Sequence, residues 1–286
     1  MCRKNLTKRC YRTVLYCPRK LHQSAVLRRV IRNLKKDAAM EAILNKCEKE
    51  DFNYLSGVLD SYLSFTNDKR RKELLLKSDD CVESKSELIK LMDEQIKYYG
   101  SSDIAYLKRA LFNSASGVEA SEIIEDVCNK LKVKIKKGGS VESSLEKLVN
   151  AVVEKELLDK TPEELSKSFD EIGVGHADKE QILEHLKSNG KIAILPILVE
   201  IAGPKITLGI IELIIISLIA QIIGREAAKH LVKELMKRNP WINALGPVLW
   251  ALSGAWLAFD LQGPAYRKTV PIVLYLGIVA LRDGEE

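Results

Sequence analysis

Acidic residues are missing from the first 36 positions of this 286-residue chain. Twelve Lys and Arg side chains stand there instead, from Arg3 to Lys36, while the remaining 250 residues hold 33 basic and 39 acidic side chains. The formal charge of +6 therefore belongs wholly to the N-terminal stretch, and the overall basicity says nothing about partners of the rest. Downstream, basic residues alternate with acidic ones and no RNA-type aromatic motif occurs, so nucleic-acid binding is disfavoured. An Arg-rich, acid-free stretch dotted with Leu and Val has the composition of an organelle-targeting peptide, or of an arm that meets anionic lipid or nucleic acid. Met40 lies just downstream, and the competing reading is a disordered extension translated from an upstream start. No apolar core of a secretory signal follows the basic residues.

Catalytic signatures are absent as well. The chain has no G-x-x-x-x-G-K-[ST], no H-E-x-x-H, no G-x-S-x-G and no complete G-x-G-x-x-G, and Gly173-Val-Gly175 reads as a turn between helices. Cysteines fall at positions 2, 10, 17, 47, 81 and 128 with no C-x-x-C pair, which excludes a zinc ribbon and reads as reduced thiols. Cys47, Cys81 and Cys128 fit helical positions where a small apolar side chain packs. His22 lies in the basic stretch, His176 and His185 are separated by a loop, and His230 stands alone on a charged helix, so none is expected to ligate a metal. The pairs Asp79-Asp80 and Glu163-Glu164 sit at helix starts, where the macrodipole accounts for them. The expectation is a non-enzymatic protein with no catalytic residue, no metal and no cofactor.

Strand signals are also scarce. From Asp37 to about Asn189 the chain is a series of amphipathic helical patterns. Ser84 with Glu87, Thr161 with Glu164 and Asp178 with Gln181 read as capping boxes, in which an N-cap oxygen and an acceptor three residues on satisfy each other's backbone donors. Val141, Leu145, Leu148, Val149, Val152, Val153, Leu157 and Leu158 recur at three and four residues, one apolar stripe facing a core. The strand-like run Leu131 to Ile135 is short and ends at Gly138-Gly139, which suits a frayed helix end or a turn.

Composition changes after Gly190. An apolar helix from Lys191 to Ala202, interrupted by Glu200, is closed by Gly203-Pro204. Ile206 to Ile223 follows with the single charge Glu212, a length of about 27 Å at 1.5 Å per residue and thus close to a hydrocarbon core. A mid-span carboxylate needs a partner helix, a polar lumen or a proton in lipid, and a hydrogen-bond donor in a soluble core. Arg225 to Arg238 reads as a charged amphipathic helix broken by Asn239-Pro240. Ile242 to Phe259 has no charge, and Thr269 to Leu281 adds an uncharged run too short to span alone. Ala251 with Ala255, and Gly254 with Ala258, form small-residue pairs that allow close helix approach. Trp250 and Trp256 lie in this segment, and Trp241 and Tyr266 flank it, where amphipathic rings favour the lipid boundary.

The run GPVLWALSGAWLAFDLQGPAYRKTVPIVLYLGIVALR, Gly246 to Arg282, resembles the C-terminal signature of the YaaW family of uncharacterised bacterial proteins. Its core is Gly263, Pro264, Ala265, Tyr266, Arg267, Thr269, Val270 and Pro271, preceded by Asp260-Leu261. Weaker likeness runs back through Asp93 to Ala105 and Thr161 to Leu165 to a helical module near Asp37 to Leu63, and the Ile-rich segment Ile206 to Ile223 departs from it. The resemblance implies a helical protein of unassigned activity, with relatives sometimes labelled as similar to ubiquinol-cytochrome c chaperones, and it supplies no catalytic residues. Within the signature, Gly263-Pro264 suits a sharp turn, Arg267 suits capping of carbonyls or pairing with Asp260, and Pro271 suits a helix start.

The expected fold class is all-α: a multi-helix bundle with an apolar C-terminal helical hairpin bundle. Residues 1–36 form the basic leader, 37–189 a soluble amphipathic domain open to a protein partner, and 190–286 a membrane-embedded domain. The expected protein is membrane-associated, at the cytoplasmic membrane with 37–189 in the cytoplasm, and able to form a homo-oligomer. Two alternatives stand beside it: a membrane-permeabilising effector whose masked hairpins Glu200 and Glu212 tune by protonation, and a cytoplasmic assembly factor or chaperone-like binder of membrane-protein clients.

Overall fold

The computed structural model describes residues 39–60, 67–100, 118–161, 163–166, 179–184, 194–240 and 266–282, with the side chains of 39 and 225–227 excepted. Their helices are, in chain order, α1 (Ala39–Leu44), α2 (Lys49–Leu59), α3 (Asp68–Lys77), α4 (Val82–Tyr99), α5 (Ala120–Lys130), α6 (Val141–Leu158), α7 (Ile194–Ala202), α8 (Pro204–Ile223), α9 (Arg225–Arg238) and α10 (Tyr266–Arg282). Residues 163–166 and 179–184 are also helical, and no strand occurs among the described residues. The fold is all-α.

Local chemistry sets several helix ends. Thr161 and Glu164 close a capping box in both directions, the Glu164 amide donating to Thr161 Oγ1 at 3.2 Å and the Thr161 amide to Glu164 Oε2 at 2.8 Å. Ser140 caps α6 by accepting from the Ser143 amide at 3.0 Å. Ser84 does not cap: α4 begins two residues earlier at Val82, behind Cys81, so Ser84 lies inside the first turn. Asp178 lies outside the described residues. The run from Leu131 is a helix end. Lys132 takes the left-handed conformation at φ 53°, its amide donates to Asn129 O, and the Val133 amide reaches Cys128 O at 3.0 Å. These two bonds form a Schellman cap, and buried Val133 supplies its apolar contact.

Ala38–Glu286 is one compact unit. Its centre is α10, whose residues Thr269 to Ala280 are all buried. α10 packs against α6 and α8 most extensively, and also against α1, α2, α4 and α5. The compositional break at Gly190 is therefore not a break in packing, because the C-terminal apolar run shares one core with helices that precede position 189. The helices come close at Gly277, where an added Cβ would lie 2.2 Å from Val149 Cγ2 and 3.0 Å from the Leu145 carbonyl oxygen. α10 and α6 touch almost backbone to backbone there. The small-residue pairs of residues 251–258 lie outside the described residues.

α7, α8 and α9 follow one another through two glycine joints. Gly203 at φ 84° ends α7 ahead of Pro204, and Gly224 at φ 91° separates α8 from α9. Glu154 of α6 fixes the start of α7, its two carboxylate oxygens each accepting at 2.9 Å from the Ile194 and Leu195 amides. Buried Ala228, Leu231 and Leu235 lie on α9, which packs against α8 and α2.

Candidate functional site

α8 offers only one acidic side chain, and Glu212 is nearly enclosed, at 4% side-chain exposure. A bare carboxylate at such a depth would be strongly unfavourable, so it must meet donors. Two converge on it. Arg282, the last residue of α10, donates Nε–H to Glu212 Oε1 at 3.0 Å, and Asn239, just past the end of α9, donates Nδ2–H to Oε2 at 2.8 Å.

The same guanidinium turns its Nη1 to Asp51 Oδ1 at 2.9 Å. Asp51 is the third residue of α2, where an acidic side chain reaches back to the helix start, and its Oδ2 accepts from the Glu48 amide at 2.9 Å. Its Oδ1 also accepts from the Tyr275 hydroxyl at 2.6 Å, and Arg238 Nη2 stands 3.7 Å away. The Tyr275 ring lies 4.3 Å from that of Tyr54, whose buried hydroxyl has no hydrogen-bond partner among the described residues. One cluster of two buried carboxylates, a half-buried arginine, a tyrosine and an asparagine thus ties α2, α8, α9 and α10 together. A second arginine sits at its edge.

Burial pushes the Asp51 carboxyl up, but the Arg282 charge, the Tyr275 hydroxyl and the Glu48 amide outweigh it and hold the group below its usual value. A depressed carboxyl adds stability that is present above its unfolded pKa, about 3.9, and is lost as pH falls through the lower folded value. Asp51→Asn is therefore expected to lower the melting temperature at pH 7 and to approach wild type near pH 3. A deficit that stays constant between those pH values would contradict this assignment.

A second buried charge lies between α2, α3 and α4. Arg71 is fully buried, and all five of its N–H groups are used. Nε donates to Ser56 Oγ at 3.0 Å, Nη1 to Asp68 Oδ1 at 2.8 Å and Gln95 Oε1 at 2.6 Å, and Nη2 to the Ser56 carbonyl and the Asp60 carboxylate.

Of the residues singled out by sequence, Glu212 lies in the cluster. Glu200 does not: it is exposed on α7. Tyr266 opens α10 under the ammonium of Lys130, 4.8 Å from the ring centroid. Arg267 points outward, and its neighbour Lys268 takes the capping part expected of it, donating to the Leu59 and Asp60 carbonyls at the end of α2. Pro271 is five residues inside α10 rather than at its start. It is accommodated there by a core that holds the helix on every side, while its ring denies the Arg267 carbonyl an intrahelical donor. Trp250, Trp256, Asp260, Gly263 and Pro264 lie outside the described residues. Asp51, Tyr275, Asn239 and Arg282 were missed by the sequence reading. Their one signal was the demand of Glu212 for a donor, which periodicity cannot assign to a partner 70 residues away.

A hollow of about 440 Å³ between α6, α7 and α8 is lined mainly by Leu195, Pro196, Val199, Leu208 and Ile211. Another of about 380 Å³ contains Cys128, whose thiol burial pushes up to about 11, so it stays protonated at neutral pH. No group of three or more His, Cys, Asp and Glu among the described residues could hold a metal.

The chain is similar to bacterial proteins that share the name UPF0174 protein. One from Helicobacter pylori strain J99 is 28% identical over 193 residues, which cover 67% of this chain and 70% of that relative. One from strain 26695 is 24% identical over 190 residues, covering 66% of this chain and 86% of the relative. A second J99 protein is 24% identical over 179 residues, or 62% and 80%. Their name states no activity. No family model matches the chain, and no solved structure does.

Proposed function

We propose that this is a non-enzymatic, membrane-associated helical protein that keeps its most apolar helix folded into its own core until it meets a bilayer. The observation that carries this reading is α8, twenty residues long with a mean hydropathy of 2.5 over its most apolar stretch. At 1.5 Å per residue it extends about 30 Å, the thickness of a hydrocarbon core. Its single acidic group is already matched by donors inside the protein. The uncharged run of residues 242–259, with Trp250 and Trp256, supports the same reading by sequence. The amphipathic helices before Asn189 would face the cytoplasm at the inner membrane and receive a protein partner or a second copy. We also read Gly263 to Pro271 as a YaaW-type signature whose part is structural.

The open apolar hollow beside Leu195 and Val199 favours a second reading, a chaperone-like binder that holds a hydrophobic segment of a membrane-protein client. A permeabilising effector is the variant of the first reading in which an inserted α8 breaches the bilayer. Flotation of the full chain with phosphatidylglycerol-containing vesicles separates the three. Recovery with vesicles without dye release is the expected result, and recovery with release favours the effector. A monomer that stays at the bottom of the gradient, and in the detergent-free supernatant of fractionated cells, overturns the membrane reading.

A further inference from the structure

We infer that the contact of Glu212 with Arg282 and Asn239 is an autoinhibitory latch, which holds α8 inside the fold and whose opening frees it for lipid. The inference rests on the membrane reading above and adds to it the place where the fold gives way.

Three observations converge on this contact. The first is the pair of joints around α8. Gly203 and Gly224 both occupy the left-handed region, and neither has any atom within 4 Å of where a Cβ would stand. The helix is a rod between two uncrowded glycine hinges, the kind of position that absorbs a large dihedral change. The second is the chemistry of the contact. A buried ion pair is weak evidence for stability, since well-packed apolar residues often serve as well or better, and its best-attested use is registry or switching. Every other buried position of α8 from Ile210 to Leu218 is apolar except Ser217, so an apolar residue would fit position 212 as the pattern stands.

The third is the unequal anchoring of the two carboxylates. Asp51 holds Arg282 together with the Tyr275 hydroxyl and its own helix-start amide. Glu212 has the Arg282 Nε–H and the Asn239 amide. When the cluster parts, Asp51 keeps the Arg282 Nη1–H, the Tyr275 hydroxyl and the Glu48 amide, whereas Glu212 has only its two side-chain donors, so the break falls at Glu212 and releases α8. α10 stays where it is, because Gly277 seats it against α6 along a contact that does not involve the cluster.

Hydrogen exchange of the full chain without lipid tests the latch, using Glu212→Gln and Asn239→Ala. Each variant removes one charge-assisted hydrogen bond and is expected to speed exchange of the α8 amides by about tenfold or more. Exchange in α4 and α5 should be unchanged, and in α6 it should rise less than in α8, against which α6 packs. With phosphatidylglycerol-containing vesicles, both variants should bind a larger fraction of protein than wild type does. Unchanged exchange in α8, or a rise shared equally by α4, α5 and α6, overturns the latch, and global unfolding of either variant counts as the second of these. Faster α8 exchange with no gain in vesicle binding over a wild type that does bind also overturns it as a guard against lipid. If wild type and both variants ignore vesicles while α8 loosens, the membrane reading falls and the joint at Glu212 stands.

Discussion

Gly277→Val is expected to destabilise the protein by about 3 kcal/mol or more, at the upper end of what overpacking a core costs. The site leaves no room: the first added carbon would already lie 2.2 Å from Val149 Cγ2, and the Leu145 carbonyl oxygen, one turn earlier on the same helix, stands 3.0 Å away. Val149 cannot swing aside, because a β-branched side chain in a helix has one strongly preferred rotamer, and Leu145 O belongs to the backbone of α6. α10 would have to move away from α6, loosening the contacts that both helices make with the rest of the core. The helical preference of a side chain over glycine returns at most about 1 kcal/mol, so the clash decides the sign. Urea denaturation of Gly277→Val and of the double variant Gly277→Val/Val149→Ala measures this. The double variant should be markedly more stable than the sum of the two single effects, since removing the Val149 methyls opens the space that the new side chain needs. Additive losses would place the strain elsewhere.

Arg71→Met should cost about 3–5 kcal/mol, about a fifth or more of the stability of an ordinary domain. Methionine fills much of the volume of the arginine stem but offers no donor, so the Ser56 carbonyl, Gln95 Oε1 and the Asp68 carboxylate all lose the guanidinium that draws them together. Asp60 is less affected, being partly exposed and paired as well with Lys72 at 2.9 Å. Arg71→Lys keeps the charge but has three donors on a flexible stem in place of a planar fork of five, and should recover only part of the loss. Thermal unfolding of the three proteins gives the order wild type, Lys, Met. A lysine variant as stable as wild type would show that charge alone, and not the geometry of the fork, holds α2, α3 and α4 together.

The helices themselves could be read from periodicity and end signals. The stripe from Val141 to Leu158 is α6, buried at Leu145, Leu148, Val149, Val152, Val153 and Leu157 and half-buried at its two ends, Gly203-Pro204 divides α7 from α8, and Arg225 to Arg238 is α9 to the residue. Errors came where two signals competed locally. Ser84 has the spacing of a capping box, yet Val82 is already helical, because the chain turns at Ser78 to Cys81 directly after α3. Pro271 has the look of a helix start, yet α10 carries it five residues inside, where the surrounding core supports the interrupted turn.

The candidate site was legible only as a question. Glu212 stands out in an apolar run and must have donors, but Arg282, Asn239 and Asp51 are each unremarkable in their own stretches: a charge that ends an apolar run, a residue before proline, an acid in a first helical turn. Composition likewise marked a boundary at Gly190 that packing does not observe. Hydrophobic period, caps and glycine-proline punctuation are local properties, and by them the sequence alone determined an all-α chain, the division between α7 and α8, the bounds of α9 and the unusual apolarity of α8. Which helix occupies the centre, which faces meet and which distant charges pair depend on contacts between residues as far apart as Asp51 and Arg282. Only the tertiary structure decided those, because complementarity of shape and charge across 231 positions leaves no periodic trace in the chain.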